Sequence, residues 1–335
     1  MLIGLISRVG SSRLPRKPLL DLGDNKCSLN RIIDSAEQAG LKNKTFVLTS
    51  YLSADDEISD FCKKLSVQCY RGDPDFVLKR LIDLAKKHPK EDYIIYLGSD
   101  CPLVDISLLA SVFEKLVPQK NTNTNTNLIT CYFPNTLPGG YEINIVSTRW
   151  LKNLNINNLH YSELEHCFNS LLLGKRRSSV QNIQSNIDLS WLNFALDTSN
   201  DLDYVRKLIK NGANNNLQSI LKTIINNKEL IEITKKRIFE KVSNSFLSSP
   251  GMHKAIKDKI IDDINKSFNY LEKNDFKNGI KSLKDTKITI QSFLSNDDIK
   301  QIYLNKEELF EDKELIYRLK IFEKEITNKG FSILM

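Results

Sequence analysis

The sequence predicts an α/β fold with a mostly parallel sheet, followed by an all-α segment. Up to about residue 211, short apolar runs alternate with longer segments whose apolar residues recur at three- and four-residue spacing. Alternating strands and helices are typical of a parallel sheet with helices on both faces. After residue 216 strand-like runs almost vanish, and Lys, Ile, Asn, Leu and Glu dominate. We therefore predict an α/β domain over residues 1–212 and a helical domain of unknown role over 213–335.

Each predicted element of the first domain rests on its local pattern. The strands are the short apolar runs Leu2–Ile6, Thr45–Thr49, Ser66–Tyr70, Tyr93–Leu97, Leu128–Cys131, Ile143–Val146 and Leu192–Leu196. The helices are the amphipathic segments Leu29–Ala39, Asp55–Leu65, Phe76–Lys87, Ser107–Leu116 and Ser162–Leu173. A polar NTNTNTN run at 121–127 has nothing to bury and predicts a loop insertion.

The helical domain is predicted from four amphipathic segments. These are Ile220–Val242, Lys254–Lys273, Phe276–Leu294 and Lys313–Thr327, with the SSPG sequence at 248–251 as a break. Its apolar faces predict packing on the first domain or on a second subunit, and we expect a homodimer.

Composition narrows the class of protein. The 335 residues are 27% charged and 41% hydrophobic, and the net charge of +7 is spread over both halves. No concentrated basic face with interleaved aromatic residues indicates a nucleic-acid partner. No apolar run reaches the roughly 20 residues that cross a membrane. The six cysteines show no C-x-x-C pair and predict reduced, mostly buried thiols. We expect a cytoplasmic protein.

A basic loop follows the first strand directly. Residues 8–19 read RVGSSRLPRKPL and place four cations within ten residues. A Gly/Ser turn after a buried strand exposes N–H groups that bind phosphate oxygens, and Arg8, Arg13 and Lys17 can add charged hydrogen bonds. Pro15 and Pro18 fix the backbone around Lys17. The alternative is a solvated basic loop.

Two carboxylates are predicted at the same sheet edge. Asp100 follows the fourth strand, and Asp105 caps the next helix, which leaves Asp100 free to bind Mg²⁺. Asp197 follows the last predicted strand, although Thr198 and Asp201 also form a plausible capping box there. Together with the basic loop they supply the groups needed for phosphoryl or nucleotidyl transfer.

Two further segments carry charged residues without a settled role. In the RGDPDFVLKR run at 71–80, Asp73 and Pro74 predict a helix start, while Arg71 and Arg80 are not explained by capping. The lone His166 beside Glu165 is more typical of a surface or packing position than of a base.

Six segments in order resemble one family. Residues 8–19 are similar to the R-x-G-S-x-R-L-P-x-K-P-L signature of cytidylyltransferases that make CMP-activated sugars, including CMP-3-deoxy-manno-octulosonate and CMP-acylneuraminate synthetases. The subgroup most similar is the spore-coat polysaccharide cytidylyltransferases. Their R-G-S-E-D-D-V-L-x-R, G-D-C-P-L-I-D, P-D-G-L-D-V-E, R-E-H and V-D-T-P-E-D-L-x-x-V segments resemble residues 71–80, 98–105, 137–146, 165–166 and 196–205.

The resemblance implies a three-layer domain like that of nucleotide-diphospho-sugar transferases, with CTP and Mg²⁺ at the first loop. The implied catalytic residues are Lys17, Arg13 and Asp100. The implied nucleotide-side or acceptor-side residues are Arg8, Gly10, Ser11, Ser12, Arg71, Asp75 and Arg80, and the implied metal ligands are Asp100 and Asp197. The implied activity passes CMP to a sugar, sugar acid or similar small acceptor and releases pyrophosphate.

Departures from the family pattern leave the acceptor open. Ser99 stands where the subgroup has Gly, Glu142 where it has Asp, and Asn144 where it has Glu. Whether Glu142, Asn144, Glu165 and His166 contact the acceptor is not determined by the sequence. Alternatives are a phosphonate or polyol phosphate acceptor, or a non-catalytic nucleotide-binding or interaction protein.

Overall fold

One eight-stranded sheet organises the computed structural model, which describes residues 1–116, 126–132, 135–159, 164, 167–168, 171, 179–185, 187–244, 300–304 and 312–327. The strands are β1 Leu2–Ile6, β2 Thr45–Ser50, β3 Gln68–Gly72, β4 Tyr93–Gly98, β5 Leu128–Thr130, β6 Asn144–Ser147, β7 Val180–Ser185 and β8 Lys300–Leu304. Their order is β3-β2-β1-β4-β6-β5-β7-β8, and β6 alone runs against its neighbours among these described strands. The predicted α/β class with a mostly parallel sheet is confirmed.

Helices pack on both faces of the sheet. They are α1 Ser28–Gln38, α2 Asp56–Lys64, α3 Val77–Lys87, α4 Ile106–Leu116, α5 Thr148–Lys152, α6 Ser199–Lys210, α7 Leu217–Asn226, α8 Lys228–Asn244 and α9 Lys313–Thr327. Successive strand side chains point to opposite faces, so Ile3 lies in the apolar core shared with α1, α2 and α4. Leu2 lies in the core shared with α3 and α5.

The later helices continue the first of these cores. Leu217, Ile220 and Leu315 belong to the same buried cluster as Ile3, and Asn215 donates hydrogen bonds to the Pro102 carbonyl at 2.8 Å and the Val104 carbonyl at 3.1 Å. The division at residue 212 stays a prediction. No helix within the described part of the chain is both long and apolar enough to span a membrane.

Two predicted elements differ from the structure, and one strand was not predicted. Leu192–Leu196 is not a strand, since Asn193 makes only an isolated bridge to Gly139. The strand that was not predicted is β7, which pairs with β5 on the side opposite to β6 and whose polar VQNIQS sequence lacks an apolar run. The predicted helix Ile220–Val242 is split at Asn227, whose side chain accepts the Leu230 N–H at 3.1 Å and caps α8.

Within the described residues after 212, one strand contradicts the prediction of an all-α segment. Lys300–Leu304 forms β8 and pairs in parallel with β7, because the outer edge of β7 offers unpaired backbone groups. The helix predicted at Lys313–Thr327 is present as α9. The predictions for Lys254–Lys273 and Phe276–Leu294 lie outside the described residues, as do most of Ser162–Leu173 and residues 121–125.

Candidate active site

The basic loop and the Asp100 segment meet because β1 and β4 are parallel neighbours. Ile6 is paired with Gly98 in the register, so both chains leave the sheet at the same edge. The Ser99 N–H donates to the Ile6 carbonyl at 2.9 Å. This places residues 8–19 beside Asp100, as the positions at strand ends predicted.

Val9 gives the basic loop its shape. Its side chain is buried, and its carbonyl accepts the Ser11 N–H at 2.9 Å and the Arg16 N–H at 3.0 Å. Arg16 has a left-handed backbone with φ of 58° and is followed by a 3-10 turn over Lys17–Leu19. The turn directs the Lys17 side chain toward the end of β4.

Lys17 joins the two predicted carboxylates. Its Nζ lies 2.6 Å from Asp100 Oδ2 and 3.4 Å from Asp197 Oδ1. Burial opposes the charged ammonium, but the two carboxylates outweigh it and raise the pKa of Lys17. The residues predicted to bind phosphate and metal are therefore in contact, and Lys17 is charged at neutral pH.

Asp197 reaches this site from a loop rather than from a strand end. The Leu196 N–H donates to the Asp100 carbonyl at 2.8 Å, which joins two segments far apart in sequence. Arg13 Nη2 donates to Asp197 Oδ1 at 3.0 Å from a side chain that is 66% exposed. Two cations and two carboxylates thus form one charge-balanced group, the Lys17–Asp100–Asp197–Arg13 cluster.

Helix capping does not use the two carboxylates of the cluster. Asp105 accepts the Leu108 N–H at 3.0 Å at the start of α4. At α6, Thr198 and Asp201 form a capping box in which Asp201 Oδ2 accepts the Thr198 N–H at 2.7 Å. Asp100 and Asp197 thus remain available for a ligand.

The remaining predicted loop residues lie on the exposed side of the same loop. Ser11 Oγ accepts the Leu14 N–H at 3.3 Å and so closes the turn, and Gly10 and Ser12 are exposed. Arg8 is exposed, and its charge adds to burial in lowering the pKa of Arg80. The phosphate-binding role of these residues stays a prediction.

Arg71, Asp75 and Arg80 are placed differently from the cluster. Arg71 binds Asp56 at 2.5 Å and donates to the Ser50 and Leu52 carbonyls at 2.9 and 2.7 Å. Asp75 is exposed in the turn before α3. The contacts of Arg71 indicate that it organises the β2–α2 turn, and its predicted contact with nucleotide or acceptor stays a prediction.

Arg80 is a buried cation that passes over Gly72. Its side chain is 3% exposed, donates to the Leu48 carbonyl at 3.0 Å and the Pro74 carbonyl at 3.3 Å, and leaves Nε without a partner. A Cβ on Gly72 would lie 2.7 Å from Arg80 Cγ, so the glycine is needed for this path. The positive charges of Arg80 and Arg8 together favour an anion at this edge of the sheet.

The departures Glu142 and Asn144 have different surroundings. Asn144 is 2% exposed, accepts from Thr130 Oγ1 at 3.0 Å and donates to Tyr132 Oη at 3.1 Å, so it holds two neighbouring segments. Burial and then Glu142 raise the pKa of Tyr132. Glu165 and His166 lie outside the described residues.

A magnesium ion fits the cluster only with help from substrate. Asp100 and Asp197 already share one cation between their oxygens, which suits a divalent ion chemically. Within the described part of the chain, no group of three or more His, Cys, Asp or Glu residues could hold a metal. Mg²⁺ commonly combines one or two carboxylates with substrate phosphates and water, so two ligands from the protein are consistent with it.

The role of one residue of this region, Asp55, was not predicted from the sequence. Asp55 is 3% exposed at the start of α2, and its Oδ1 accepts the Val9 N–H at 2.8 Å. Its sequence setting, an acidic residue at a helix start, is also that of an ordinary cap. No local pattern separates the two roles.

Comparison with known proteins finds a family that matches the first part of the chain. The family model described as cytidylyltransferase matches residues 3–136, which contain the basic loop, Asp55 and Asp100. This segment of the chain is similar to cytidylyltransferases. Asp197 and the later helices lie outside the matched segment.

Two curated relatives match parts of the chain. A 3-deoxy-manno-octulosonate cytidylyltransferase of Polynucleobacter asymbioticus is 26% identical over 152 residues, 44% of this chain and 58% of the relative. A spore coat polysaccharide biosynthesis protein of Bacillus subtilis is 33% identical over 106 residues, 31% of this chain and 44% of the relative. The chain thus spans about half the length of these curated relatives.

A solved structure shares the fold. A cytidylyltransferase from Leptospira borgpetersenii superposes with a TM-score of 0.59 at 24% identity, covering 70% of this chain and 93% of that one. The two chains share a fold, and the superposed part of this chain is longer than the segment matched by the family model.

Proposed function

We propose that this protein is a CTP-dependent cytidylyltransferase that transfers CMP to a sugar, a sugar acid or a similar small acceptor and releases pyrophosphate. The observation that carries the proposal is the contact of Lys17 with both Asp100 and Asp197 beside the basic loop. The family match over residues 3–136 and the similarity to the two relatives support cytidylyl transfer.

The reaction is a displacement at the α-phosphorus of CTP. An acceptor oxygen forms a new P–O bond and loses its proton, while the bond to the bridging oxygen breaks and pyrophosphate leaves with the electron pair. Negative charge grows on the leaving group, so positioned cations lower the barrier. Lys17 and Arg13 are the cations nearest the carboxylates, and Arg8 lies in the same loop.

Substrate binding requires an exchange of partners within the cluster. Lys17 and Arg13 are bound to carboxylates in this structure, so contact with phosphate oxygens requires them to leave Asp100 or Asp197. We propose that Asp100 and Asp197 hold Mg²⁺ together with the phosphates. When bound, the metal supplies charge neutralisation at the phosphoryl oxygens.

The free thiols of the chain support a cytoplasmic location. All six cysteines are free thiols, and five of them are buried. Free thiols persist in reducing compartments.

Assembly as a homodimer is also proposed, and it is supported by Tyr317 and Ile321, which are 66% and 42% exposed one turn apart on α9. Light scattering of wild type and Ile321→Glu would test this assembly.

The direct test measures pyrophosphate release by purified protein with CTP and Mg²⁺. We would supply 3-deoxy-manno-octulosonate, other sugar acids, neutral sugars and polyol phosphates in parallel, and compare CTP with UTP, GTP and ATP. The expected result is turnover that depends on CTP and one acceptor class, and that falls at least a hundredfold in Asp100→Asn, as for loss of a group stabilising the transition state.

A matched control separates site chemistry from charge. Asp34 is a carboxylate outside the cluster, and its Oδ2 lies 2.6 Å from Lys26 Nζ. Asp34→Asn should keep near wild-type turnover. Calorimetry showing no CTP binding with Mg²⁺ would contradict the proposal and favour a non-catalytic interaction protein.

A further inference from the structure

We infer that Asp55 is a positioning residue that holds the basic loop in its phosphate-binding shape through Val9. The inference about loop shape concerns the free protein, while its consequence for CTP rests on the proposed function. Asp55 Oδ1 accepts the Val9 N–H at 2.8 Å, a contact that is buried and joins residues 46 positions apart. Val9 is buried, and both its N–H and its carbonyl are hydrogen-bonded. The N–H donates to Asp55, and the carbonyl accepts from Ser11 and Arg16.

The Val9 contact controls the rest of the loop. The Val9 carbonyl accepts the N–H groups of Ser11 and Arg16, and Lys17 follows Arg16 directly. Holding the Val9 N–H therefore holds the peptide that closes the loop. The position of the Lys17 ammonium between its two carboxylates depends on this closure.

The second carboxylate oxygen of Asp55 is anchored to β2. Asp55 Oδ2 accepts the Ser50 N–H at 3.3 Å and the Ser50 hydroxyl, and that hydroxyl accepts the Leu52 N–H at 3.2 Å. A buried carboxylate with three donors has little freedom to rotate. Asp55 thus transmits the fixed position of β2 to the loop that follows β1.

Arg71 completes the support from the next strand. It donates to the carbonyls of Ser50 and Leu52, on either side of Tyr51, and binds Asp56. The turn that carries Asp55 is thereby fixed to the end of β3. Arg71 then supports the site through Asp55.

Asp55→Asn is the informative substitution. An amide has one accepting oxygen and one NH2, so it cannot accept from both Val9 and Ser50. Loss of one buried hydrogen bond changes an equilibrium by about tenfold. We expect the Val9, Ser11 and Arg16 amides to exchange with solvent about tenfold faster, while amides of β1 such as Leu5 keep wild-type rates.

The kinetic result should separate binding from chemistry. We expect Asp55→Asn to raise KM for CTP about tenfold and to change kcat by less than about threefold, because saturating CTP restores the loop. The matched control is Asp60→Asn, which removes an exposed carboxylate of α2 that pairs with Lys63 and leaves the Val9 contact. It should keep wild-type exchange at Val9.

The experiment compares these variants by hydrogen exchange without nucleotide and by steady-state kinetics. Unchanged exchange at Val9 in Asp55→Asn, or a kcat loss with KM unchanged, would overturn the inference. If Asp55→Asn does not fold, Ser50→Ala decides, since it frees Oδ2 from one donor and should speed Val9 exchange about threefold; no change there refutes positioning. A wild-type protein without CTP turnover would sink the proposed function and leave the exchange result standing.

Discussion

Replacing Lys17 with Met gives the most direct measure of the Lys17–Asp100–Asp197–Arg13 cluster. The substitution keeps an apolar stem of similar length and removes the ammonium that lies 2.6 Å from Asp100 and 3.4 Å from Asp197. Two partly buried carboxylates then lose their shared cation, and Arg13 remains paired with Asp197. We expect a loss of folding free energy.

The magnitude follows from exposure. Breaking a fully buried pair costs about 3–5 kcal/mol, whereas exposed pairs contribute about 0–1 kcal/mol. The Lys17 side chain is 17% exposed and its partners are 29% and 34% exposed. We therefore expect Lys17→Met to lower the free energy of unfolding by about 1–2 kcal/mol.

Urea unfolding at pH 7 in the presence of EDTA measures this loss. The double variant Lys17→Met with Asp100→Asn should be about 1 kcal/mol more stable than Lys17→Met alone, because it removes one of the unpaired charges. Lys26→Met is the matched control, since Lys26 is 50% exposed in its pair with Asp34, and it should stay within about 0.5 kcal/mol of wild type.

The same variant connects stability with the proposed metal. Mg²⁺ without nucleotide should stabilise Lys17→Met more than wild type, because a divalent cation can replace the missing charge between the carboxylates. A Lys17→Met protein as stable as Lys26→Met, with no extra stability in the double variant, would refute the electrostatic reasoning.

Three further predictions address the sheet edge, the α6 cap and the metal. Gly72→Ala should cost about 1–3 kcal/mol by displacing Arg80, whereas Gly10→Ala, with nothing within 4 Å of the added Cβ, should leave the melting temperature near wild type. Burial opposes ionisation of Asp201, but Arg237 and the α6 cap outweigh it and lower the pKa of Asp201, so its contribution is present above about pH 4 and is lost as the pH falls through the folded value. Urea titrations between pH 2 and 5 should therefore show a shallower acid loss in Asp201→Asn than in wild type, and parallel curves would contradict this assignment. Chelation by EDTA should abolish pyrophosphate release, and readdition of Mg²⁺ should restore it; activity that survives chelation would remove the metal from the proposal.

Local sequence pattern predicted the parts of the fold that local interactions determine. The apolar run of β1 and the amphipathic period of α1 appear at nearly their predicted bounds, since burial on one or both faces needs only residues close in sequence. β7 was not predicted, because its VQNIQS sequence is held by backbone pairing with β5 rather than by an apolar run. Leu192–Leu196 has the apolar run without the ladder, and it packs as a buried loop.

The candidate site divides in the same way. Local pattern predicts the basic loop after β1 and the position of Asp100 after β4, because parallel strands end at a common edge. The packing of distant segments brings Asp197 to Lys17 from a loop and Asp55 to the Val9 N–H. These contacts join residues 180 and 46 positions apart, and no local period records which distant segments pack together.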